Sequence, residues 1–517
     1  MRGRDLWWLA GIILLGAWLR LYQLGAESLW FDEGWTALVS QLEGQELRHA
    51  LWTLPFPFYY LLMSFWAKAG NSEFWLRLFS ALAGILSLPL LFQLARVTLG
   101  RRTAHMATLL LAVSPLHIWY SQEARMYALA VLLGLAASWA FWQAAQQRSL
   151  RRWAVYVVVS VAALHTFYYA LLLILSHGIY LCYLLICNHV AARTDGNTPR
   201  HAKTLREWLL AQAAIALLFL PGVRLLIIQL IQGTWGWVAG KYGRPSTYAL
   251  ADTLRAFSLG DQWPYLVPLQ WAAFALFVAM FLMGIGRWRW QREAIAYMVR
   301  FDRPRVFFLS YLCVPILVIW VFSQWKPGYL LRYLLLFLPP YLTLVAHGLA
   351  TLRPRTIRWI AITLLLSITA FPLAYSYATP QKEAWRDVAR QIMQQAEEGD
   401  VICVIDEDAQ AVFRYYYRGA WPVVGVSGGL RDAGEIAVRA AALASGHQRL
   451  WLVISHTTND AFREHLQQSA AYRLEQSWTF RGVQLALFRI IGYNIALDRD
   501  TEASGCPLAE LVDRGAF

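Results

Sequence analysis

The sequence feature that most constrains the fold is a series of long apolar runs. A helix needs roughly 20 apolar residues to cross the hydrocarbon core of a bilayer, and about eleven runs of this chain approach that length. We therefore predict an α-helical polytopic membrane protein. Its predicted spans are 6–24, 75–98, 104–120, 126–146, 153–169, 170–187, 207–231, 266–286, 306–323, 330–351 and 357–377.

Two stretches leave the number of spans open. The run 153–187 would be roughly 52 Å long as a single helix, at a rise of about 1.5 Å per residue. We therefore predict two spans there, with a turn near His165. The run 55–68 is short for a crossing and is predicted as an interfacial helix or a further partial span. Totals of twelve or thirteen spans are open for this reason.

Composition and charge narrow the class of protein. Of the 517 residues, 58% are hydrophobic and only 15% are charged, which excludes an ordinary soluble protein. The net charge of +14 would suggest a nucleic-acid partner in a soluble chain. Here the basic residues lie in short loops between apolar runs, so anionic lipid and membrane orientation explain them better. We predict membrane lipid, and no nucleic acid, among the partners.

The loop charges also predict the orientation of the chain. With the N-terminus in the cytoplasm, the inner loops hold roughly twenty Lys and Arg and the outer loops about nine, as the positive-inside rule expects. The loops 25–74, 121–125, 232–265 and 324–329 then face outward. An odd number of spans also leaves everything after residue 378 outside. The predicted location is a bacterial or archaeal plasma membrane, with the catalytic loops extracytoplasmic.

The chain changes character near Thr379, where charged and polar residues return and apolar runs shorten to strand length. We predict a transmembrane catalytic domain at 1–378, including the first outer loop 25–74, and an extracytoplasmic α/β domain at 379–517. The predicted elements of this C-terminal domain are a helix from Trp385 to Glu398, strands at 401–405 and 450–454, a helix at about 432–445, and a loose tail from Thr501.

The first candidate site is the stretch 28–36 of the first outer loop, where Asp32 and Glu33 stand between tryptophans. Aromatic residues anchor a segment at the membrane interface, and the acids supply ionised oxygens that a substrate can meet. An alternative interpretation is a helix N-terminus, where acids favour the positive end of the helix dipole. Both interpretations are open from the residue types alone.

Further candidates lie in other outward-facing segments. Glu123 and Arg125 stand in the turn before Tyr127, where charges beside apolar spans are costly unless they are paired or used. A local salt bridge is the structural alternative for this pair. The turn 326–333 opens the tenth span with Lys326, Arg332 and Tyr333, and an Arg side chain suits phosphate because its fork donates two coplanar hydrogen bonds.

Two candidates have strong structural alternatives. Pro221 and Gly222 interrupt the seventh predicted span just before Arg224, which either snorkels to the interface or contacts an anionic headgroup. His165 is a ligand, a base or an ordinary hydrogen-bonded core histidine, and the last interpretation is favoured on residue type alone.

Four motifs together resemble the GT-C membrane glycosyltransferases, in particular the protein O-mannosyltransferases and the lipid A aminoarabinose transferases. The motifs are RLYQLG at 20–25, WFDE at 30–33, PFYY at 57–60 and QEARMYAL at 122–129. The resemblance is strongest over about residues 15–130 and is looser through the remaining spans. It implies a sugar donor on a polyprenyl-phosphate lipid, with an acid of the first outer loop as the catalytic base.

Carried over to this chain, the base is Asp32, with Glu33 beside it, and the reaction inverts the anomeric centre. The acceptor is a hydroxyl of a glycan, lipid or protein. The chain departs from the family at 52–56, which lacks the charged or histidine residue of many relatives, and at the His165 turn. These departures leave the donor sugar and a divalent metal ion open. The predicted substrate-binding residues are Glu123, Arg125, Tyr127, His165, Arg224, Lys326, Arg332 and Tyr333.

Three other functions are less consistent with these residues. A retaining glycosidase would need two carboxylates about 5 Å apart across the sugar, and adjacent residues of one loop are poorly placed for that. A transporter or flippase of lipid-linked sugars would favour acids within helices and inverted repeats, whereas these acids cluster at one face and no repeat is visible. A polymerase or ligase of preassembled glycans would share the lipid donor.

Overall fold

The computed structural model describes residues 3–147, 149–194, 201–232, 243–261, 267–291, 294–299, 302–455 and 460–491. The predicted tail from Thr501 lies outside the described residues. The chain divides into two compact units. The first unit comprises Met1–Leu24, Pro55–Tyr59 and Arg77–Thr379, and the second comprises Gly25–Leu54, Tyr60–Leu76 and Pro380–Phe517. The first outer loop, which the sequence analysis grouped with the spans, thus contributes most of its residues to the second unit.

The helices dominate the described part of the chain. In chain order, as far as Thr379, they are α1 (Gly3–Leu21), α2 (Phe31–Ser40), α3 (Gly44–Thr53), α4 (Pro57–Ala67), α5 (Glu73–Thr98), α6 (Arg101–Ala112), α7 (Pro115–Ser121), α8 (Tyr127–Gln147), α9 (Leu150–Thr166), α10 (Ala170–Thr194), α11 (His201–Gln232), α12 (Tyr248–Leu259), α13 (Val267–Ile285), α14 (Arg303–Phe322), α15 (Leu331–Leu334), α16 (Leu338–Thr351) and α17 (Arg355–Ala378). A short 3-10 turn, Leu335–Phe337, joins α15 to α16.

Within the described residues, eight helical segments are long and apolar enough to cross a membrane. They correspond to α5, α8, α10, α11, α13, α14, the segment from α15 through α16, and α17. The protein is therefore an integral membrane protein with a mostly helical fold. The other three predicted spans lie largely in helices: 6–24 in α1, 104–120 in α6 and α7, and 153–169 in α9. The total of about eleven crossings stays a prediction.

The predicted span 104–120 is wrong as a single helix. It breaks into α6 and α7 because Pro115 has no N–H to donate to the Leu111 carbonyl and disfavours helical backbone at Ser114. The fully buried Arg20 of α1 compensates for the break by donating to the carbonyls of Leu111 and Ala112, each at 3.0 Å. The same guanidinium donates to Nδ1 of His117 at 2.7 Å.

Two other sequence predictions have opposite outcomes. The predicted turn near His165 is confirmed, because α9 ends at Thr166 and α10 begins at Ala170. The predicted interruption at Pro221 is wrong, because α11 runs through it from His201 to Gln232. A proline removes one hydrogen bond from the helix ladder, and helices of membrane proteins tolerate this where neighbouring groups compensate.

Small residues allow a close contact between α13 and α16. A Cβ atom added to Gly284 of α13 would lie 2.0 Å from the Leu344 carbonyl oxygen, and one added to Gly348 of α16 would lie 1.9 Å from the Met280 carbonyl oxygen. Backbones that approach this closely are typical of glycine-containing helix interfaces in membranes. After α13, the strands β1 (Gly286–Gln291) and β2 (Ala294–Val299) form an antiparallel pair that the sequence did not predict.

The second unit contains a five-stranded sheet. Its C-terminal part consists of α18 (Trp385–Gln395), β3 (Asp400–Ile405), α19 (Gln410–Tyr416), β4 (Val423–Val426), α20 (Ala433–Ala444), β5 (Arg449–Ser455), α21 (Ala461–Gln468), β6 (Tyr472–Phe480) and β7 (Val483–Ile490). A 3-10 turn, Glu407–Ala409, precedes α19. The strand order is β4-β3-β5-β7-β6, parallel from β4 to β5 and antiparallel beyond.

The predicted elements of this C-terminal domain are present. Residues 401–405 and 450–454 lie in β3 and β5, and the helix expected at about 432–445 is α20. The first helix ends at Gln395, three residues before the predicted Glu398. Alternate residues of β3 and β5, together with α20 and α21, form an apolar core on one face of the sheet. The residues between them are buried as well, which is why these strands appear in the sequence as continuous apolar runs.

Candidate functional site

The two predicted catalytic acids stand in the first turn of α2. Trp30 has extended backbone and precedes the helix, which begins at Phe31. The Trp30 N–H donates to Oε2 of Glu33 at 3.3 Å, the return half of a capping box. The Thr36 hydroxyl donates to the backbone carbonyl of Asp32 at 3.2 Å. Acids in a first helical turn are stabilised by the helix dipole, so the helix-terminus interpretation applies to both residues.

The two adjacent carboxylates nevertheless have different environments. Asp32 is half-buried, whereas Glu33 has no exposed surface. Oε2 of Glu33 lies 3.0 Å from Nζ of Lys382, whose side chain is only 10% exposed. A buried carboxylate is stable only when it is paired or hydrogen-bonded, and Lys382 supplies the opposite charge.

The first outer loop is held at both ends by one arginine of α18. Arg386 donates to Oε1 of Glu73 at 2.7 and 3.1 Å, and to the carbonyls of Gly25 and Ala26 at 3.4 and 3.2 Å. Burial is the largest single influence on Arg386 and works against its charged form. The hydrogen bonds and negative charge of Glu73, together with the nearby Tyr416 and Asp387, outweigh burial and raise the pKa of this guanidinium. The beginning and end of the loop that carries Asp32 are thereby tied to the same helix.

In the first unit, the predicted turn 121–125 is buried. Glu123 and Arg125 are 2% and 5% exposed, and the Arg125 N–H donates to the Glu123 carbonyl at 2.8 Å. The Ser80 hydroxyl donates to the Arg125 carbonyl at 3.1 Å. Burial of two opposite charges in a membrane protein indicates that both are paired or used.

An aromatic cluster adjoins this turn. Tyr333 lies 6.4 Å from Tyr127, 5.9 Å from Phe167 and 5.3 Å from Tyr169, measured between ring centroids. The Arg332 guanidinium lies 5.4 Å from the ring centroid of Tyr333, within the range of a cation–π interaction. The structure therefore brings together three of the predicted binding residues, Tyr127, Arg332 and Tyr333.

The turn before α15 is fixed by two hydroxyl hydrogen bonds. Tyr169 donates to the Gly328 carbonyl at 2.9 Å, and the hydroxyls of Tyr329 and Thr253 lie 2.7 Å apart. The predicted Lys326 is exposed at the start of this turn. Since the turn is held against α12 and the α9–α10 connection, Arg332 and Tyr333 have a defined location in the first unit.

The remaining two candidates are less closely associated with this cluster. Nε2 of His165 lies 3.3 Å from the Leu218 carbonyl oxygen, and the imidazole ring lies 5.1 Å from the ring of Phe219. This arrangement favours the ordinary hydrogen-bonded histidine over a ligand or a base. Arg224 is exposed on α11, which fits the snorkelling interpretation.

Sequence reasoning missed two groups of residues. Lys382 lies just after Thr379, where charged residues return, and its partner Glu33 lies 349 positions earlier, so no local pattern connects the two. Phe167 and Tyr169 were noticed only as a turn. Across the described residues, no group of three His, Cys, Asp or Glu side chains is close enough to hold a metal ion, and a divalent metal stays open.

The sequence matches a family model described as dolichyl-phosphate-mannose-protein mannosyltransferase over residues 54–221. This stretch contains Glu123, Arg125, Tyr127 and His165, but it begins after Asp32 and Glu33. No curated protein has a matching sequence.

Solved structures resemble nearly the whole chain. ArnT from Cupriavidus metallidurans in the apo state has a TM-score of 0.59 at 14% identity, covering 93% of this chain and 97% of its own. The same protein bound to undecaprenyl phosphate has a TM-score of 0.57 at 14% identity, covering 93% and 98%. The archaeal oligosaccharyltransferase AglB from Archaeoglobus fulgidus, with an inhibitory peptide and a dolichol-phosphate, has a TM-score of 0.53 at 11% identity, covering 87% and 69%.

Proposed function

We propose that this chain, which has the fold of the GT-C membrane glycosyltransferases, is an inverting glycosyltransferase with a polyprenyl-phosphate sugar donor. Its acceptor is a hydroxyl of a glycan, lipid or protein on the extracytoplasmic side. The lipid donor is supported by the solved structures of similar fold that contain undecaprenyl phosphate and dolichol-phosphate. The family model, named for a dolichyl-phosphate-mannose enzyme, supports the same class of donor.

The observation that carries the proposal is the difference between two adjacent acids. Glu33 is buried and paired with Lys382, whereas Asp32 is half-exposed. A general base must reach the proton that it removes, and of these two acids Asp32 is the one that solvent and substrate can reach. The helix that carries it is fixed, as catalytic geometry requires.

The reaction is a single displacement. The Asp32 carboxylate takes the proton of the acceptor hydroxyl as the acceptor oxygen bonds to the anomeric carbon. The bond between that carbon and the phosphate oxygen breaks, and polyprenyl phosphate leaves with the bonding electrons. Negative charge grows on the leaving phosphate, so nearby cations stabilise the transition state. Candidates for this role are Arg125, Arg224, Lys326 and Arg332, and the last of these lies beside the ring of Tyr333.

In the alternative function, a transporter or flippase of lipid-linked sugars, Asp32 would have a different role. A proton or substrate site would serve flux across the membrane, and no sugar would be transferred to an acceptor. A retaining reaction would need a second carboxylate facing the same sugar, and the burial of Glu33 with Lys382 argues against that residue.

The first test is Asp32→Asn in a gene-deletion strain. Mass spectrometry of the lipid-linked sugars that accumulate in the deletion identifies the donor. Transfer from that donor to acceptor is then measured with wild-type and variant protein. Asn keeps the volume and an acceptor oxygen but cannot take a proton, so transfer should fall about 10²–10⁴-fold.

Asp387→Asn is the matched control, because Asp387 is a first-turn acid of α18 in the same unit and is exposed. This variant should keep wild-type transfer. Near-normal transfer by folded Asp32→Asn protein would remove Asp32 as the base. Loss of lipid-linked sugar flux, with no transfer by wild-type protein, would favour the transporter.

A further inference from the structure

The buried ion pair between Glu33 and Lys382 connects the candidate base to the C-terminal domain. Oε2 of Glu33 accepts from the Trp30 N–H at 3.3 Å and from Nζ of Lys382 at 3.0 Å. One carboxylate oxygen therefore joins the beginning of α2 to the segment that precedes α18. Asp32 immediately precedes Glu33 in the chain, so any movement of the Glu33 backbone moves Asp32 as well.

Lys382 is itself fixed by its backbone. The N–H groups of Gln381 and Lys382 donate to Oε2 of Glu27 at 2.9 and 2.6 Å. The Arg481 side chain donates to the Lys382 carbonyl and lies 3.7 Å from the Glu27 carboxylate. Next in the chain, the Glu383 carbonyl accepts from the Ser28 hydroxyl at 2.8 Å. The backbone at Lys382 is thus held by Glu27 and Ser28 of the first outer loop and by Arg481 of the turn between β6 and β7.

The other side of α2 rests on α19. The Leu29 N–H donates to the Tyr416 hydroxyl at 2.6 Å. Gly34 lies so close to Val412 that an added Cβ would be 2.6 Å from the Val412 Cα. The first turn of α2 is therefore fixed by an ion pair at Glu33 and by close packing at Gly34.

We propose that Lys382 is a positioning residue for the base Asp32, acting through Glu33, and that the C-terminal domain is a part of the catalytic apparatus. Glu33 on this account is a second positioning residue and does not contact the substrate. The inference rests on the proposed function for the role of Asp32, while the attachment of α2 to the C-terminal domain can be measured without any sugar substrate.

The structural test uses hydrogen exchange of full-length protein in lipid nanodiscs. In Lys382→Met, the amides of α2 (31–40) should exchange at least about tenfold faster than in wild type, because a buried carboxylate without its cation destabilises its surroundings. The amides of β3 and β5 should be unchanged, which shows that the domain is folded. Lys382→Arg should restore the protection, since it keeps the charge.

The kinetic test uses the donor identified from the deletion strain. Lys382→Met should lower kcat about 10²-fold, the cost of misplacing a reacting group by about 1 Å, with little change in the KM of the donor. Lys382→Arg should recover most of kcat. Glu33→Gln should lower kcat as well, and the double variant should be no worse than the poorer single variant, because both act through one contact. Arg390→Met, which removes an exposed cation of α18, is the control.

The possible results separate the two proposals. Wild-type kcat or unchanged α2 exchange in Lys382→Met would overturn the positioning role. If Lys382→Met does not fold, Glu33→Gln replaces it, and unchanged exchange in that variant would overturn the role equally. If α2 exchanges faster but wild-type protein transfers no sugar, the attachment stands and the proposed function fails.

Discussion

Gly34 of α2 lies against Val412 of α19 with no space for a side chain: an added Cβ would be 2.3 Å from the Val412 Cβ. A methyl group at position 34 must therefore push the two helices apart. Overpacking of this kind costs about 1–3 kcal/mol. We expect Gly34→Ala to lower the thermal unfolding midpoint of the purified protein and to reduce transfer. Gly11→Ala is the control, since no atom lies within 4 Å of its added Cβ, and an equal effect of both substitutions would contradict the prediction.

The ion pair between Arg386 and Glu73 should stabilise the protein measurably. Its distance is 2.7 Å and its side chains are 33% and 19% exposed, so solvent screening limits the coupling to about 1 kcal/mol. A double-mutant cycle with Arg386→Met and Glu73→Gln, followed by thermal unfolding, measures it. The neighbouring pair Arg390–Asp387 has 58% and 53% exposed side chains and should show almost no coupling. Equal coupling in the two cycles would refute this expectation.

Arg20 should be required for folding rather than for catalysis. Arg20→Met removes the Arg20 donor of the Ala112 carbonyl and one donor of the Leu111 carbonyl, which keeps the Ser114 N–H at 3.4 Å. A buried polar group left unsatisfied costs about 1–3 kcal/mol. We expect lower yield in the membrane and a lower unfolding midpoint, with Arg20→Lys intermediate. Arg101→Met, which removes the exposed pair with Asp5, should have little effect. An Arg20→Met protein as stable as wild type would show that another group satisfies these carbonyls.

Arg125, Arg224, Lys326 and Arg332 should include the contacts to the donor phosphate. Changing Arg332 to Ala should raise the donor KM more than it disturbs folding, and Arg332→Lys should be intermediate because an ammonium lacks the guanidinium fork. Lys68→Ala is the control, since Lys68 also lies over an aromatic ring, 5.6 Å from that of Phe65. Unchanged donor KM in all four Ala variants would place the phosphate elsewhere.

The C-terminal domain should lie outside the cytoplasm. The excess of Lys and Arg in alternate loops predicts this orientation. A reporter that is active only in the cytoplasm, fused after Thr379, should give no signal, while a fusion at Ser149, between α8 and α9, should be active. Strong activity after Thr379 would require a different number of crossings.

The long apolar helices and two of the five C-terminal strands, β3 and β5, could be predicted because each depends on residues close in sequence. The turn between α9 and α10 follows from the length of one apolar run, and β3 and β5 follow from short runs of buried residues. The break at Pro115 also has a local cause. One span was predicted from 104 to 120 because the run is apolar, although the proline interrupts the helix. At Pro221 the opposite error occurred: a break was predicted at the proline, and the helix continues through it.

Composition and motif by themselves determined the membrane class, the acid pair of the first loop and the presence of a separate C-terminal fold. The sequence could not determine which of the two acids is accessible, because that depends on Lys382, 349 positions from Glu33. The sequence could not place Arg20 at the end of α6 either, because Arg20 lies 91 positions from Leu111 and 92 positions from Ala112. Local patterns fix helices and strands through short-range sterics and hydrogen bonds. The burial and pairing of individual charges depend on residues that only the folded chain brings together.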